Sequence, residues 1–380
     1  MDGAFEKTIS FLLFIFIGVL LKKKISTGDE TNGLKSLILT LALPATIFIA
    51  LLKIKIDSHL ILFPFLALGF NVVLFAITPL LLTIVGINIH SDKGRSARLL
   101  IPSLAPGLSC FPFILEFLGE VSLGKAAMGD LGNKFFVLFL LYLVALKWHY
   151  KNADFEANSL KTKLKSLAKT LLYEPINLFI IAALILVSFG ITLDKLPNYL
   201  SITLTRLSYI MTPLVLIFIG LAVKIKKRQF FELFSLLLLR AGFTLLFIGG
   251  IVFFADITIK KDILVMIAFT LSACSFWPFA HISAVNFKEQ KENTEEKTFD
   301  TNFSLSILAL SLPISVLLIL GILTTGNTFT DIKNLFILGG VLFSIGFVYP
   351  IFLKINSSFK TSKNQIKSSE NSSLEFSGDK

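Results

Sequence analysis

Apolar residues run along this chain in long blocks, and polar residues collect between the blocks rather than within them. A helix rises about 1.5 Å per residue, so roughly 20 apolar residues cross a hydrocarbon layer of about 30 Å. The pattern predicts eleven such helices, at about Phe5–Leu21, Leu34–Leu52, Leu60–Val85, Ala97–Leu118, Phe135–Trp148, Leu171–Ile191, Leu200–Val223, Phe230–Ala255, Ile263–Phe287, Phe303–Leu323 and Leu335–Leu353. Core helices of a soluble protein would carry polar faces, and these segments carry too few. The expected fold is an all-α integral membrane protein.

Composition and charge sharpen that picture. Hydrophobic residues make up 54% of the 380 and charged residues 16%, with 39 Phe suited to a lipid-facing surface; a soluble domain sits near ~25% charged. The net charge of +11 would raise nucleic-acid binding in a soluble protein. Here the loops explain it. Of 36 Lys and Arg, 25 fall after odd-numbered segments or in the C-terminal tail, against 8 at the N-terminus and after even-numbered segments. The positive-inside rule then predicts a multi-pass plasma (inner) membrane protein with its N-terminus outside and its C-terminus cytoplasmic. The lipid bilayer is the expected partner, and nucleic acid is not. Asp2 and Glu6 before the first segment, and Lys22-Lys23-Lys24 after it, do not read as a cleavable signal peptide. Cys110 and Cys274 both lie inside apolar segments, so neither a disulfide framework nor a metal site is expected, and no cofactor.

The chain also resembles itself at a spacing near 170 residues. "LPATIFIALLKIK" (Leu43–Lys55) returns as "TPLVLIFIGLAVKIK" (Thr212–Lys226), and "LSCFPF" (Leu108–Phe113) returns as "LSACSFWPF" (Leu271–Phe279). "DLGNKFFVLFLLYLV" (Asp130–Val144) is echoed by "DTNFSLSILALSLPI" (Asp300–Ile314). Segments 1–5 and 6–10 are then two units, and an odd number of crossings per unit makes the second copy inverted, an arrangement found in secondary transporters. The predicted organisation is a first five-helix repeat over 1–150, a cytoplasmic connector over 151–170 and a second, inverted repeat over 171–325. An extra transmembrane helix over 326–354 and a disordered cytoplasmic tail over 355–380, rich in Ser, Lys, Asn and Glu, complete it.

The fourth member of each unit is expected to be broken. Pro102, Pro106, Gly107 and Pro112 interrupt the fourth segment, and its counterpart carries Pro278 beside the small residues Ser272, Ala273, Cys274 and Ser275. Irregular backbone at membrane depth survives only where protein or a water-filled cavity covers it. Two crossing breaks would turn half-helix N-termini toward a shared cavity suited to an anionic group. The candidate substrate-binding residues are therefore Pro106, Gly107, Ser109, Cys110, Pro112, Ser272, Cys274, Ser275 and Pro278. Arg240, deep in the eighth segment, joins them either as an anion attractor or as a structural partner of a helix end. Asn71, near the repeat-equivalent position, would line the same cavity. Glu116, Asp130 and Asp300 read as lying near helix ends, so no carboxylate relay is evident. His281 could exchange a proton or simply pack.

These residues resemble the auxin efflux carrier family, which includes plant PIN-type auxin exporters and bacterial malate or malonate permeases. "LTLALPATIFIALLK" (Leu39–Lys53) and "TPLVLIFIGLAVK" (Thr212–Lys224) are similar to the family's helix 2 and helix 7 signatures, "LSCFPFILEFLGE" (Leu108–Glu120) to its crossover, and "SLSILALSLPISVLL" (Ser304–Leu318) to its last repeat helix. The likeness covers roughly residues 5–323. It departs at Ala105-Pro106-Gly107, where the family carries a polar pair, and at Cys110, where it carries glycine. The resemblance implies a scaffold of helices 1, 2, 6 and 7, a mobile unit of helices 3–5 and 8–10, and substrate at the crossing of helices 4 and 9. The expected function is a secondary transporter, an efflux carrier of small organic anions, in which two copies could pair. The alternative is a non-transporting sensor or scaffold on a transporter-like body. Enzyme chemistry is not expected, because G-x-S-x-G, H-E-x-x-H and paired intramembrane aspartates are missing from the sequence.

Overall fold

The computed structural model describes residues 2–25, 28–53, 58–149, 165, 169, 173, 175–222, 229–291, 297–348, 350 and 351. The connector expected over 151–170, residues 165 and 169 apart, and the tail over 355–380 lie outside the described residues. The described regular structure is helical throughout. In chain order it comprises α1 (Asp2–Leu21), α2 (Glu30–Leu52), α3 (Ser58–Val85), α4 in pieces (α4a Asp92–Leu100, α4b Pro106–Ser109, α4c Phe111–Leu118) and α5 (Glu120–His149). There follow α6 (Pro175–Ser188), α7 (Asn198–Ala222), α8 (Phe230–Phe254), α9 in two pieces (α9a Lys260–Thr270, α9b Phe276–Lys291), α10 (Thr301–Thr324) and α11 (Ile332–Val348).

Six helices among the described residues are long and apolar enough to cross a membrane: α2, α5, α8 and α10 over their full lengths, Leu62–Val85 of α3 and Asn198–Leu221 of α7. Ile9–Leu21 of α1, α6 and α11 are shorter apolar helices. Large apolar side chains stand on the outside of these helices, Phe65, Phe189, Tyr209, Phe254 and Leu317 among them. Such a surface is stable against hydrocarbon and a liability in water.

Two sets of helices pack most densely within themselves. α1 lies along α7, while α2 packs on α6 and α7; the other set joins α3 to α5, α4c to α5, α8 to α3 and α10 to α4a and α8. α5 begins at Glu120, well before the Phe135 start expected from hydropathy, because the small residues Gly124, Ala126, Ala127, Gly129 and Gly132 form its first half. At Gly132 a Cβ would come within 1.8 Å of the Pro64 carbonyl oxygen, so α3 crosses α5 backbone to backbone.

α11 is seated on α8 by the same means. A Cβ on Gly242 would meet the Phe343 nitrogen at 2.6 Å and the Gly339 oxygen at 2.9 Å, and the Ser235 hydroxyl donates to the Gly346 carbonyl. Backbone atoms cannot move aside as a flexible side chain can. Gly242→Leu is therefore expected to push α11 off α8 and to cost about 2–3 kcal/mol, read as a lowered unfolding temperature in detergent.

Prolines govern one break and start the helices after it. Pro102 ends α4a by removing a donor, Pro106 is the first residue of α4b, and Pro112 is the second of α4c, positions where the missing N–H has no intrahelical partner. Pro278 corrects the sequence reading. It is the third residue of α9b, inside the first turn, and the α9 break lies ahead of it at Leu271–Ser275. The breaks at 101–105 and 271–275 are thus 170 residues apart (271 against 101), not in the register of the "LSCFPF" pairing.

Candidate functional site

The two breaks are buried and bonded to each other. Ala105 N–H donates to the Ala273 carbonyl at 2.7 Å, and Ser275 N–H donates to the Ser103 hydroxyl at 2.9 Å. At the 170-residue offset Ala105 corresponds to Ser275 and Ser103 to Ala273, so exchanging the two segments maps one contact onto the other. A third contact runs from Ala273 N–H to the Ser109 hydroxyl at 3.0 Å. The irregular backbones leave amides outside any helix, and inside an apolar body each needs a partner. Here two of the partners, for Ala105 and Ser275, come from the other break, and the rest come from neighbouring helices or the preceding turn.

Arg240, 4% exposed on α8, fastens both from one side. Its Nε donates to the Ile101 carbonyl at 2.9 Å, and its Nη2 donates to the Ser272 carbonyl at 2.9 Å and the Ser103 carbonyl at 3.4 Å. Ile101 closes α4a and Ser272 follows the end of α9a. A guanidinium thus sits where two helices present their negative ends, which offsets both dipoles and part of its own desolvation. Of the two readings open for Arg240, the structural one describes its contacts.

The opposite side is held by amides. Asn133 of α5, fully buried, donates from Nδ2 to the Leu104 carbonyl at 2.9 Å and accepts from Leu104 N–H at 3.2 Å. Asn71 of α3 donates to Asn133 Oδ1 at 2.9 Å, so it reaches the break through Asn133 and not beside Arg240. Asn71 Oδ1 is buried with no hydrogen-bond partner among the described residues. At the equivalent of Leu104, Cys274 N–H donates to the Ser311 hydroxyl of α10 at 3.2 Å.

A protein of Methanocaldococcus jannaschii named "Uncharacterized transporter MJ1031" is similar to this chain: 27% identical over 208 residues. The match covers 53% of this chain and 63% of that protein, so under two thirds of the relative is spanned. No family model matches the chain.

Several of the sequence-predicted residues of the two broken helices make structural contacts at the crossing. Ser109 accepts a break amide, Ser272 donates its hydroxyl to the Phe269 carbonyl at 2.6 Å, and Ser275 accepts from Trp277 N–H at 3.3 Å. Cys110, at the kink between α4b and α4c, is fully buried, and Cys274 is nearly so. Gly107 faces α2, where a Cβ would come within 3.0 Å of Leu43 Cδ2. His281 Nε2 lies 2.9 Å from the Val137 carbonyl and its ring packs on Tyr142, which fits the packing reading. Among the described residues no group of His, Cys, Asp or Glu could hold a metal ion.

Three charged residues that were not among the sequence-predicted site residues belong to this region. Lys35 lies inside α2, with its ammonium 4.4 Å from the ring centre of Phe276, the first residue of α9b. Among the described residues it has no carboxylate partner. Asp130 and Lys134 form a buried pair at 3.4 Å on α5, and Asp130 Oδ1 also accepts from Asn133 at 2.9 Å. Lys134 reaches Asn177 Oδ1 of α6 at 3.1 Å. The signal for the pair was the i, i+4 spacing of an acid and a base, obscured because the helix was taken to start later.

Proposed function

We propose that this chain is a secondary transporter of small organic anions in the plasma membrane, working by alternating access around the crossing of α4 and α9. The observation that carries the reading is the reciprocal pairing of two broken helices at membrane depth. Such breaks are expensive, since irregular backbone in an apolar layer must be satisfied group by group. Packing alone does not call for two of them meeting at one point. The likeness to a protein named as a transporter supports the same class.

The anion preference is supported by charge. α9b begins immediately after its break, so its N-terminal amides and positive dipole end lie at the crossing. Lys35 adds a cation beside that end, with no carboxylate paired to it among the described residues. The body of α1, α2, α6 and α7 would serve as the frame, and α3–α5 with α8–α10 as the unit that moves, an assignment supported by the two packing sets. Gly107 against Leu43 and Lys134 against Asn177 are points where the two sets touch.

Purified protein in liposomes should move at least one of radiolabelled malate, malonate and indole-3-acetate faster than protein-free liposomes do. Lys35→Met should raise the half-saturating concentration about tenfold, the equivalent of roughly 1.4 kcal/mol of lost binding. No flux with any of the three anions would refute the carrier reading.

A further inference from the structure

The proposal here rests on the carrier reading and concerns what travels with the anion. Asp130 and Lys134 lie ten and fourteen residues into the 30-residue α5, about 15–20 Å along it and so near mid-membrane. Both side chains are 6% exposed. A buried ion pair is weak evidence for stability, because replacing both partners by apolar residues is often neutral or favourable. Ionisable residues inside a span are costly to insert and mark functional positions by default. The pair is also wired to the crossing: Asn133 bonds Asp130 on one side and the Leu104 backbone on the other.

Charge accounting gives the pair a task. In the resting protein Asp130 neutralises Lys134, and the charge of Arg240 is offset by the negative ends of α4a and α9a, whose last carbonyls it holds. Lys35 belongs to α2, in the frame, and cannot travel with a substrate. A carboxylate bound in the moving unit therefore adds an uncompensated negative charge. A proton on Asp130 removes its charge and leaves the Lys134 ammonium to balance the substrate carboxylate.

We propose that Asp130 takes up one proton for each substrate carboxylate bound, and that Lys134, released from Asp130, is the cation that accompanies the substrate across the membrane. The step is an acid–base one: a proton from the aqueous phase bonds to an Asp130 carboxylate oxygen, Lys134 stays an ammonium, and no redox partner is involved. On reaching the other face the proton and the anion leave together, and Asp130 pairs with Lys134 again.

The other titratable groups around α5 are accounted for. On α5 itself, Glu120 is bonded to Lys53, the residue after α2, and Lys125 to Asp262 of α9a, both near its first turns, while His149 is bonded to Glu289 of α9b in its last. From α4 come Glu116 and the fully buried Cys110, and from α9b comes His281, held at Val137. α6 presents Asn177 and α3 presents Asn71, neither of which titrates.

The test uses the wild-type protein in liposomes with the pH dye pyranine trapped inside, and the anion that the flux panel identifies. Acid outside should accumulate that anion, each pH unit being worth a factor of about ten, and anion uptake should be matched by internal acidification. Asp130→Asn should lose gradient-driven accumulation while anion-for-anion exchange persists, and Lys134→Met should lose both. Anion uptake without proton uptake in the wild type overturns the proposal and leaves the carrier reading intact. So does an Asp130→Asn protein that still accumulates anion under a pH gradient. Should Asp130→Asn not fold, the pyranine measurement on the wild type decides alone. No flux with any anion overturns both readings.

Discussion

Arg240→Ala is expected to unfasten both breaks at once and to abolish transport. The side chain donates to Ile101, Ser103 and Ser272, which belong to two different helices. Hydrogen bonds from a charged donor contribute about 1.5–3 kcal/mol each, so losing two short ones should destabilise the protein by roughly 3–5 kcal/mol. The carbonyls of Ile101 and Ser272 are buried and would each lose a charged donor. Arg240→Lys keeps the charge but not the planar fork, and a single ammonium cannot hold both Ile101 and Ser272 at 2.9 Å in the same directions. Its loss should be about half that of alanine. Thermal unfolding in detergent measures the first quantity and liposome flux the second. An alanine variant with wild-type stability would remove Arg240 from the account of the crossing.

Asn133→Leu is the second large effect. Leucine is close in size but leaves the Leu104 N–H, the Leu104 carbonyl, Asn71 Nδ2 and Asp130 Oδ1 each short of a bond. An unsatisfied buried group costs about 1–3 kcal/mol, and with some relaxation the sum should reach roughly 3–4 kcal/mol. Hydrogen exchange reports it locally: the Leu104 amide should exchange faster in the variant, while the α7 interior stays protected. Equal protection of Leu104 in both proteins would show that Asn133 does not hold the break.

How far the sequence foretold this arrangement differs from segment to segment. The apolar helices were legible because long uninterrupted runs leave few alternatives. The break in α4 was legible because Pro102 and Pro106 remove donors inside a span. The break in α9 was seen in outline but misplaced at Pro278. Leu271–Ser275 holds neither proline nor glycine, and the contacts that hold it out of the helix are tertiary: Arg240 on Ser272, Ser109 on Ala273, Ser103 on Ser275. Local propensity carries no trace of such bonds. Asp130 was discounted for a related reason. The Gly- and Ala-rich first half of α5 has low hydropathy, yet it is helical and buried because small residues let α3 approach at Gly132. Arg240 was recognised as important, but whether it served an anion or the backbone depended on where the two helix ends fell.

The central claim is that the unit carrying the crossing moves against α2 during transport, and a reversible cross-link tests it most directly. Leu43→Cys and Gly107→Cys, with Cys110 and Cys274 changed to serine, place two thiols across the α2–α4b contact, where a Cβ at position 107 lies 3.0 Å from Leu43 Cδ2. Oxidation of this protein in liposomes should stop anion flux, and reduction should restore it. Flux that continues at the reduced protein's rate with the disulfide fully formed would contradict the account.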